Sequence, residues 1–193
     1  MIIGITGGTG CGKTTLLNGI AALGGLVIDC DAVYHRLLQT DKAMLCAIES
    51  AFPGTVKDGV LDRKALGSIV FADPEALLRL NAITHTAVKN EVLRLLEANP
   101  PLAAIDAIGL FEGGLASLCN VTVAVTAPEE SRVQRLIARD GITEEYAKSR
   151  IAAQKSNEFF SKMCQYTLEN SGTEVQFQDK CLAFFRQLGI MKP

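Results

Sequence analysis

IIGITGGTGCGKTT, residues Ile2 to Thr15, governs how the rest of the chain is read. Its first residues are largely apolar and β-branched and stop at Gly7 and Gly8, the pattern of a short buried strand. Gly7, Gly12, Lys13 and Thr14 then satisfy G-x-x-x-x-G-K-[ST], and Leu16, Leu17 and Ile20 follow at helical spacing. Strand, glycine loop and helix in that order aim successive backbone N–H groups and the positive helix end at a single anion.

In such a P-loop the glycines permit the backbone angles of the cradle and remove side chains that would hold a phosphate away. Gly8, Gly10, Cys11 and Gly12 are read as cradle positions, with Cys11 a spacer whose backbone matters more than its thiol. Lys13 supplies a point charge for the β and γ phosphates of ATP, the Thr14 hydroxyl is placed to ligate Mg2+, and Thr15 adds a further contact.

Working outward, Leu26 to Ile28 is a second apolar run that leads into Asp29, Cys30 and Asp31. The chain thus opens as an α/β fold with parallel strands. No strand pattern follows between Ala32 and Glu97, where helix starts succeed one another: Asp41 before KAMLCAI, Asp62 before RKALGSIVF, and Asp73 with Pro74 before EALLRL. Residues 32–97 read as a helical insert packed on the sheet's edge and forming one wall of a cleft. Asn99, Pro100 and Pro101 break it, and Leu102 to Ala107 and Val121 to Thr126 restore the sheet. Pro128 opens a helix over Glu129 to Arg139, and Thr143 opens another that reaches Gln154. Tyr166 to Glu169 reads as a last strand, and Thr173 with Gln176 as a capping box for a closing helix that Gly189 ends.

At 193 residues the chain suits one main domain over 1–193. A net charge of -2 with scattered basic residues argues against a nucleic-acid partner. The apolar stretches are strand-sized and no signal core is visible, so the expectation is a cytoplasmic protein without a membrane partner, a monomer or weak homo-oligomer. Six cysteines without a C-x-x-C pair read as reduced and mostly buried thiols. A P-loop fixes the nucleotide and not its use. No guanine-reading N-K-x-D occurs, and a motor would need more chain, which leaves small-molecule kinases.

The sequence resembles the dephospho-CoA kinase family along almost its whole length. GITGGTGCGKTT from Gly4, VIDCD ending at Asp31, LDRKALGSIVF from Leu61, NAITH ending at His85, LFEGG from Leu110, RLIARDGITEEYAKSRIAAQ from Arg135 and NSG at Asn170 appear in that family's order. The resemblance implies a P-loop kinase fold with a core, a helical acceptor-binding insert over 32–97 and a lid over 129–165. It also implies the use of Mg-ATP to phosphorylate the ribose 3'-hydroxyl of dephospho-CoA, the last step of coenzyme A synthesis. The chain departs from the family at Thr86, where a proline is usual, at Asp106 to Glu112, where D-x-P-L-L-x-E is usual, and at Cys164 and Gln165, where an Ala-Asp pair is usual. Two readings compete with it: another nucleoside or nucleotide kinase, and a nucleotide-binding module with weak transfer.

Asp31 follows the second strand and so lies at the carboxyl edge of the sheet, where it either orients and deprotonates the attacking hydroxyl or caps the next helix. It matches the family's catalytic aspartate. Asp29 reads as structural. Asp106 ends the third apolar strand and either holds Mg2+ through water or caps a loop. Arg132, Arg135 and Arg139 share a helix face that is either solvated or turned to phosphates; the family lid matches Arg135 and Arg139. His85, Arg63 and Glu112 match acceptor-side positions, against a structural histidine, a helix start and a solvated loop charge respectively. Gln154 ends the family's lid segment without an independent chemical argument.

Overall fold

The computed structural model describes residues 1–191. Ile2–Thr6 forms β1 and Lys13–Ala22 forms α1, with the glycine-rich loop between them. Ile3 and Ile5 are fully buried on one face of β1. Gly4 faces the other side, where a Cβ would stand 2.7 Å from Cys119 Sγ and 2.9 Å from Leu110. Leu26–Asp29 is β2, and Cys30–Thr40 (α2), Lys42–Ala51 (α3), Arg63–Val70 (α4) and Pro74–Leu96 (α5) make up the helices of the insert. Asp41, Asp62 and Asp73 cap α3, α4 and α5 through their carboxylates, as the sequence predicts.

The insert is not wholly helical. Val56–Lys57 (β3) and Val60–Leu61 (β4) form a small antiparallel hairpin. Asp58 and Gly59 turn it with φ of 51° and 77°, the left-handed pair that a tight hairpin requires.

Ala103–Asp106 is β5 and Val121–Thr126 is β6. Glu129–Asp140 (α6) and Glu144–Ala152 (α7) follow as a helical hairpin, then Asn157–Met163 (α8), Tyr166–Glu169 (β7) and Glu174–Gln187 (α9). Helix α8, capped by Ser156, is an element the sequence pattern did not disclose. The capping box of Thr173 and Gln176 is present as read.

The five long strands form one parallel sheet in the order β2-β5-β1-β6-β7. One face packs on α1 and α9 around Ile3, Ile5, Leu16, Val125 and Phe185. On the other side, α2 to α5 gather around Ile28, Leu37, Ile48, Val92 and Ile105. The α6–α7 hairpin has a small core of its own in Val133, Leu136, Ala147 and Ile151. Because β1 connects to β2 on one side of the sheet while the chain leaving β5 passes over β1 to β6 on the other, a crevice opens at the carboxyl ends of the strands, the usual ligand position in such sheets. Among the described residues no helix is long and apolar enough to cross a membrane.

Candidate active site

The crevice holds a cavity of 710 Å³ lined by Gly8, Gly10, Cys11, Gly12, Lys13, Thr14, Asp31, Asp106, Arg135 and Arg139. Thus most of the residues singled out for nucleotide, metal and catalysis meet at one place. Gly12 sets the entry to α1 with φ 96°, and a Cβ there would run into the Asn170 amide. Lys13 donates to the Gly7 carbonyl at 2.9 Å, so its ammonium lies folded over the loop it serves. Cys11 is fully buried, and its carbonyl accepts from Asn170 Nδ2 at 3.0 Å. Thr15 does not line this cavity and faces a groove between α1 and α9 instead.

Two of the three arginines on α6 are not on a solvated face. Arg135 donates to the carbonyls of Gly10 and Cys11 at 3.2 and 3.4 Å and to Asn170 Oδ1 at 2.9 Å. Arg132 is buried against the loop, a contact between residues more than a hundred positions apart that helical spacing cannot disclose. Gln154 gains a chemical role here, because its Oε1 accepts from the Thr9 amide at 2.8 Å. Arg139, at the end of α6, is paired with Asp140 at 2.7 Å, and Arg150 from α7 shares that carboxylate at 2.7 Å. Arg139 first, then Arg150, hold the Asp140 carboxyl down to about 2. Both guanidinium groups border the cavity, and Arg150 was not singled out in the sequence.

On the opposite wall stand two carboxylates. Asp29, and not Asp31, caps α2, accepting from the amides of Asp31 and Ala32 at 2.9 and 3.0 Å. Asp31 sits exposed in the first turn of α2 with its carboxylate free of that duty. Asp106 pairs in register with Asp29 of β2 and Ile5 of β1. Among the described residues its buried Oδ1 has no hydrogen-bond partner. Burial pushes the Asp106 carboxyl up to about 6, Lys13 opposes that shift, and Asp29 and Asp31 add to it.

A second cavity of 280 Å³ adjoins the first and shares Asp31, Ala107 and Ile108 with it. His85 lines it from α5, together with the adjacent Thr84 and with Asn81 one turn earlier, and Tyr34 lines it from α2. Cys30 also borders it; burial first, and then the neighbouring carboxylates, push its thiol up to about 12 and keep it protonated. Thr86 is exposed on α5 and bonds to the Ala82 carbonyl at 2.8 Å, so the absence of proline leaves a continuous 23-residue helix. Ala107 and Ile108, by contrast, place the departure after Asp106 in the wall common to both cavities. Arg63 lies beyond Tyr34 in a third cavity of 180 Å³. Glu112 is on an exposed turn and lines neither of the two main cavities. All six cysteines are free; Cys11, Cys30 and Cys181 are buried and Cys46 is exposed.

Comparison with known proteins agrees with this geometry. The dephospho-CoA kinase family model matches residues 1–176. A dephospho-CoA kinase of Anaeromyxobacter dehalogenans is 40% identical over 177 residues, covering 89% of this chain and 84% of that protein. A solved structure from Thermus thermophilus is 34% identical with a TM-score of 0.80, covering 100% of this chain and 98% of that one. The dephospho-CoA kinase of Campylobacter jejuni is 26% identical with a TM-score of 0.67, over 98% of each chain. A match of this extent, on a chain whose loop, strand-end carboxylates and second cavity already describe a phosphoryl-transfer site, places the protein in the dephospho-CoA kinase family.

Proposed function

We propose that this chain transfers the terminal phosphoryl group of ATP to the ribose 3'-hydroxyl of dephospho-CoA, giving coenzyme A and ADP. The observation that carries the reading is the position of Asp31, which borders both cavities. An acceptor seated in the smaller one presents a hydroxyl to a carboxylate beside the phosphate loop.

In this reading the ATP phosphates lie against the loop amides and Lys13, with Arg135 and Arg139 meeting the remaining charge. The adenosine end of the acceptor sits between Tyr34 and His85, and Arg63 faces its diphosphate. Asp31 orients the hydroxyl and accepts its proton as the new oxygen–phosphorus bond forms. The bond from the γ phosphorus to the bridging oxygen breaks, and ADP carries that oxygen away. Lys13 and Arg139 stabilise the charge that grows on the transferred group.

The cavity also fits Mg2+, a hard cation that takes oxygen ligands. Asp106 Oδ1 is a buried oxygen without a partner among the described residues. The Thr14 hydroxyl belongs to the same cavity. Among the described residues no group of three or more acidic, histidine or cysteine side chains forms a cage, which suits an ion completed by phosphate oxygens and water. Thr14 and Asp106 would hold it, and when bound it neutralises charge on the β and γ phosphates.

Residues 32–97 act as the acceptor-binding unit and 129–165 as the lid, a division supported by the separate apolar clusters of the two segments. The protein works in the cytosol as a monomer or weak homo-oligomer, without nucleic-acid or membrane partners.

A coupled assay of ADP release across acceptors tests the reading. Dephospho-CoA stimulates release far more than adenosine, AMP or shikimate. Equal turnover with adenosine or AMP would identify a different nucleotide kinase, and ATP binding without acceptor-stimulated release would identify a binding module.

A further inference from the structure

Arg132 lies under the phosphate loop and is only 4% exposed. Its Nε donates to the Thr9 carbonyl at 2.9 Å and its Nη2 to Gln154 Oε1 at 3.2 Å. Both acceptors are neutral amide oxygens. Among the described residues Arg36, Arg79, Arg94, Arg139 and Arg150 each have a carboxylate within 4.0 Å, whereas Arg63, Arg132, Arg135 and Arg186 have none, and of these four Arg132 alone is buried. A buried cation without a counter-charge is costly, and proteins normally pair it.

The missing charge has an obvious side from which to come. A Cβ on Gly8 would collide with the Arg132 guanidinium, and one on Gly10 would stand 2.9 Å from the Arg132 carbonyl. Gly8 and Gly10 also line the 710 Å³ cavity. The loop backbone is therefore the one layer between this cation and the space where phosphates lie. Arg132 also fixes that layer. Because a trans peptide holds its C=O and N–H on opposite sides, drawing the Thr9 carbonyl toward Arg132 turns the Gly10 N–H away from it.

We propose that Arg132 is a positioning residue for the Thr9–Gly10 peptide and the buried counter-charge of the polyphosphate held by the loop. The inference rests on the reading of the cavity as an ATP site. It differs from the roles of Lys13 and Arg139 in that Arg132 reaches the anion through the loop and not across open solvent.

Arg132→Gln and Arg132→Lys test it, each compared with the parent chain for melting without nucleotide and for calorimetric affinity toward ATP, ADP and AMP. Arg132→Gln keeps a donor and removes the charge, so it melts at or above the parent temperature. It binds ATP and ADP at least about tenfold more weakly and AMP within about threefold, because the charge acts on the phosphates beyond the first. Arg132→Lys recovers part of the ATP affinity. A merely structural arginine gives a different pattern: Arg132→Gln fails to fold or melts well below the parent, and either result overturns the proposal. ATP affinity within about twofold of the parent overturns it as well. A parent chain that binds no ATP overturns the reading of the cavity itself, which separates the two failures.

Discussion

Gln154 accepts the backbone N–H of Thr9 at 2.8 Å, joining the segment just after the α6–α7 hairpin to the glycine-rich loop across 145 residues of sequence. The same side-chain oxygen accepts from Arg132. A neutral amide at this point satisfies both donors and leaves the positive charge available to a ligand. Gln154→Glu keeps the acceptor and adds a carboxylate beside the buried guanidinium. The ligand-free fold should gain about 1 kcal/mol, since charge-assisted hydrogen bonds exceed neutral ones by about that amount. ATP affinity should fall by about tenfold as the carboxylate repels phosphate. Melting and calorimetry on one preparation check both, and a variant that melts below the parent without ATP contradicts the argument.

Asp29 and Asp31 divide the labour that sequence alone left open. The cap of α2 belongs to Asp29, so Asp29→Ala should cost about 1 kcal/mol of stability while turnover changes little. Asp31→Asn should leave the melt and ATP affinity nearly unchanged and lower turnover by about 10² to 10⁴. A turnover above about a tenth of the parent rate would remove Asp31 from its assigned role as proton acceptor.

Among the described residues Lys13 donates its side-chain hydrogen bond to the loop's own Gly7 carbonyl. That bond is replaceable by water, and the residue is not part of either large core. Lys13→Ala should therefore melt within about 1 kcal/mol of the parent. Phosphoryl transfer should fall by about 10² to 10³, the loss typical when one preorganised charge stabiliser is removed. A collapse of the cooperative melt would mark Lys13 as structural instead.

Asp106 carries a pH signature. Its carboxyl titrates near 3.8 when unfolded and is pushed up to about 6 in the fold, chiefly by burial. Between those values the folded state holds more of the proton, so the stability this group contributes is full below about 3.8 and is lost as pH rises through 6. In chelator and without nucleotide, Asp106→Asn should be more stable than the parent at pH 7.5 by on the order of 2 kcal/mol, with the gap closing toward pH 4. The same substitution should reduce turnover by about tenfold or more if the carboxylate supports the metal. A pH-independent difference in melting would contradict the burial argument.

Much of this architecture is legible in the sequence because its signals are local. Aspartates before helices, the strand at Val121–Thr126, and Thr173 with Gln176 act within a few residues of themselves, and each appears where it was read. The hairpin of β3 and β4 escaped notice because two-residue strands are too short to show alternation, although Asp58–Gly59 is a turn signal. The roles of Arg132, Gln154 and Asn170 were out of reach for another reason. Their partners are backbone carbonyls and amides of the loop, which carry no residue identity, at separations of more than 100 residues. The loop and its place between β1 and α1 were legible from a local motif, although Thr15 turns away from the cavity, whereas the second cavity depends on side chains from α2, α5 and the turn after β5 meeting in space.

The strand order has a bearing on how the chain comes into being. β1 is the middle of the sheet, yet its partners β5 and β6 begin only at Ala103 and Val121. During synthesis at about 5–20 residues per second, the apolar Ile2–Thr6 segment therefore waits on the order of ten seconds before either neighbour exists. The helices of the insert have an apolar cluster made mainly of their own residues and are completed in the interval. Assembly should thus proceed from the middle of the chain outward, with the nucleotide loop among the last parts to acquire its form. Nascent-chain proteolysis would show the insert protected before the amino terminus, and the exposed first strand is the segment most in need of a chaperone.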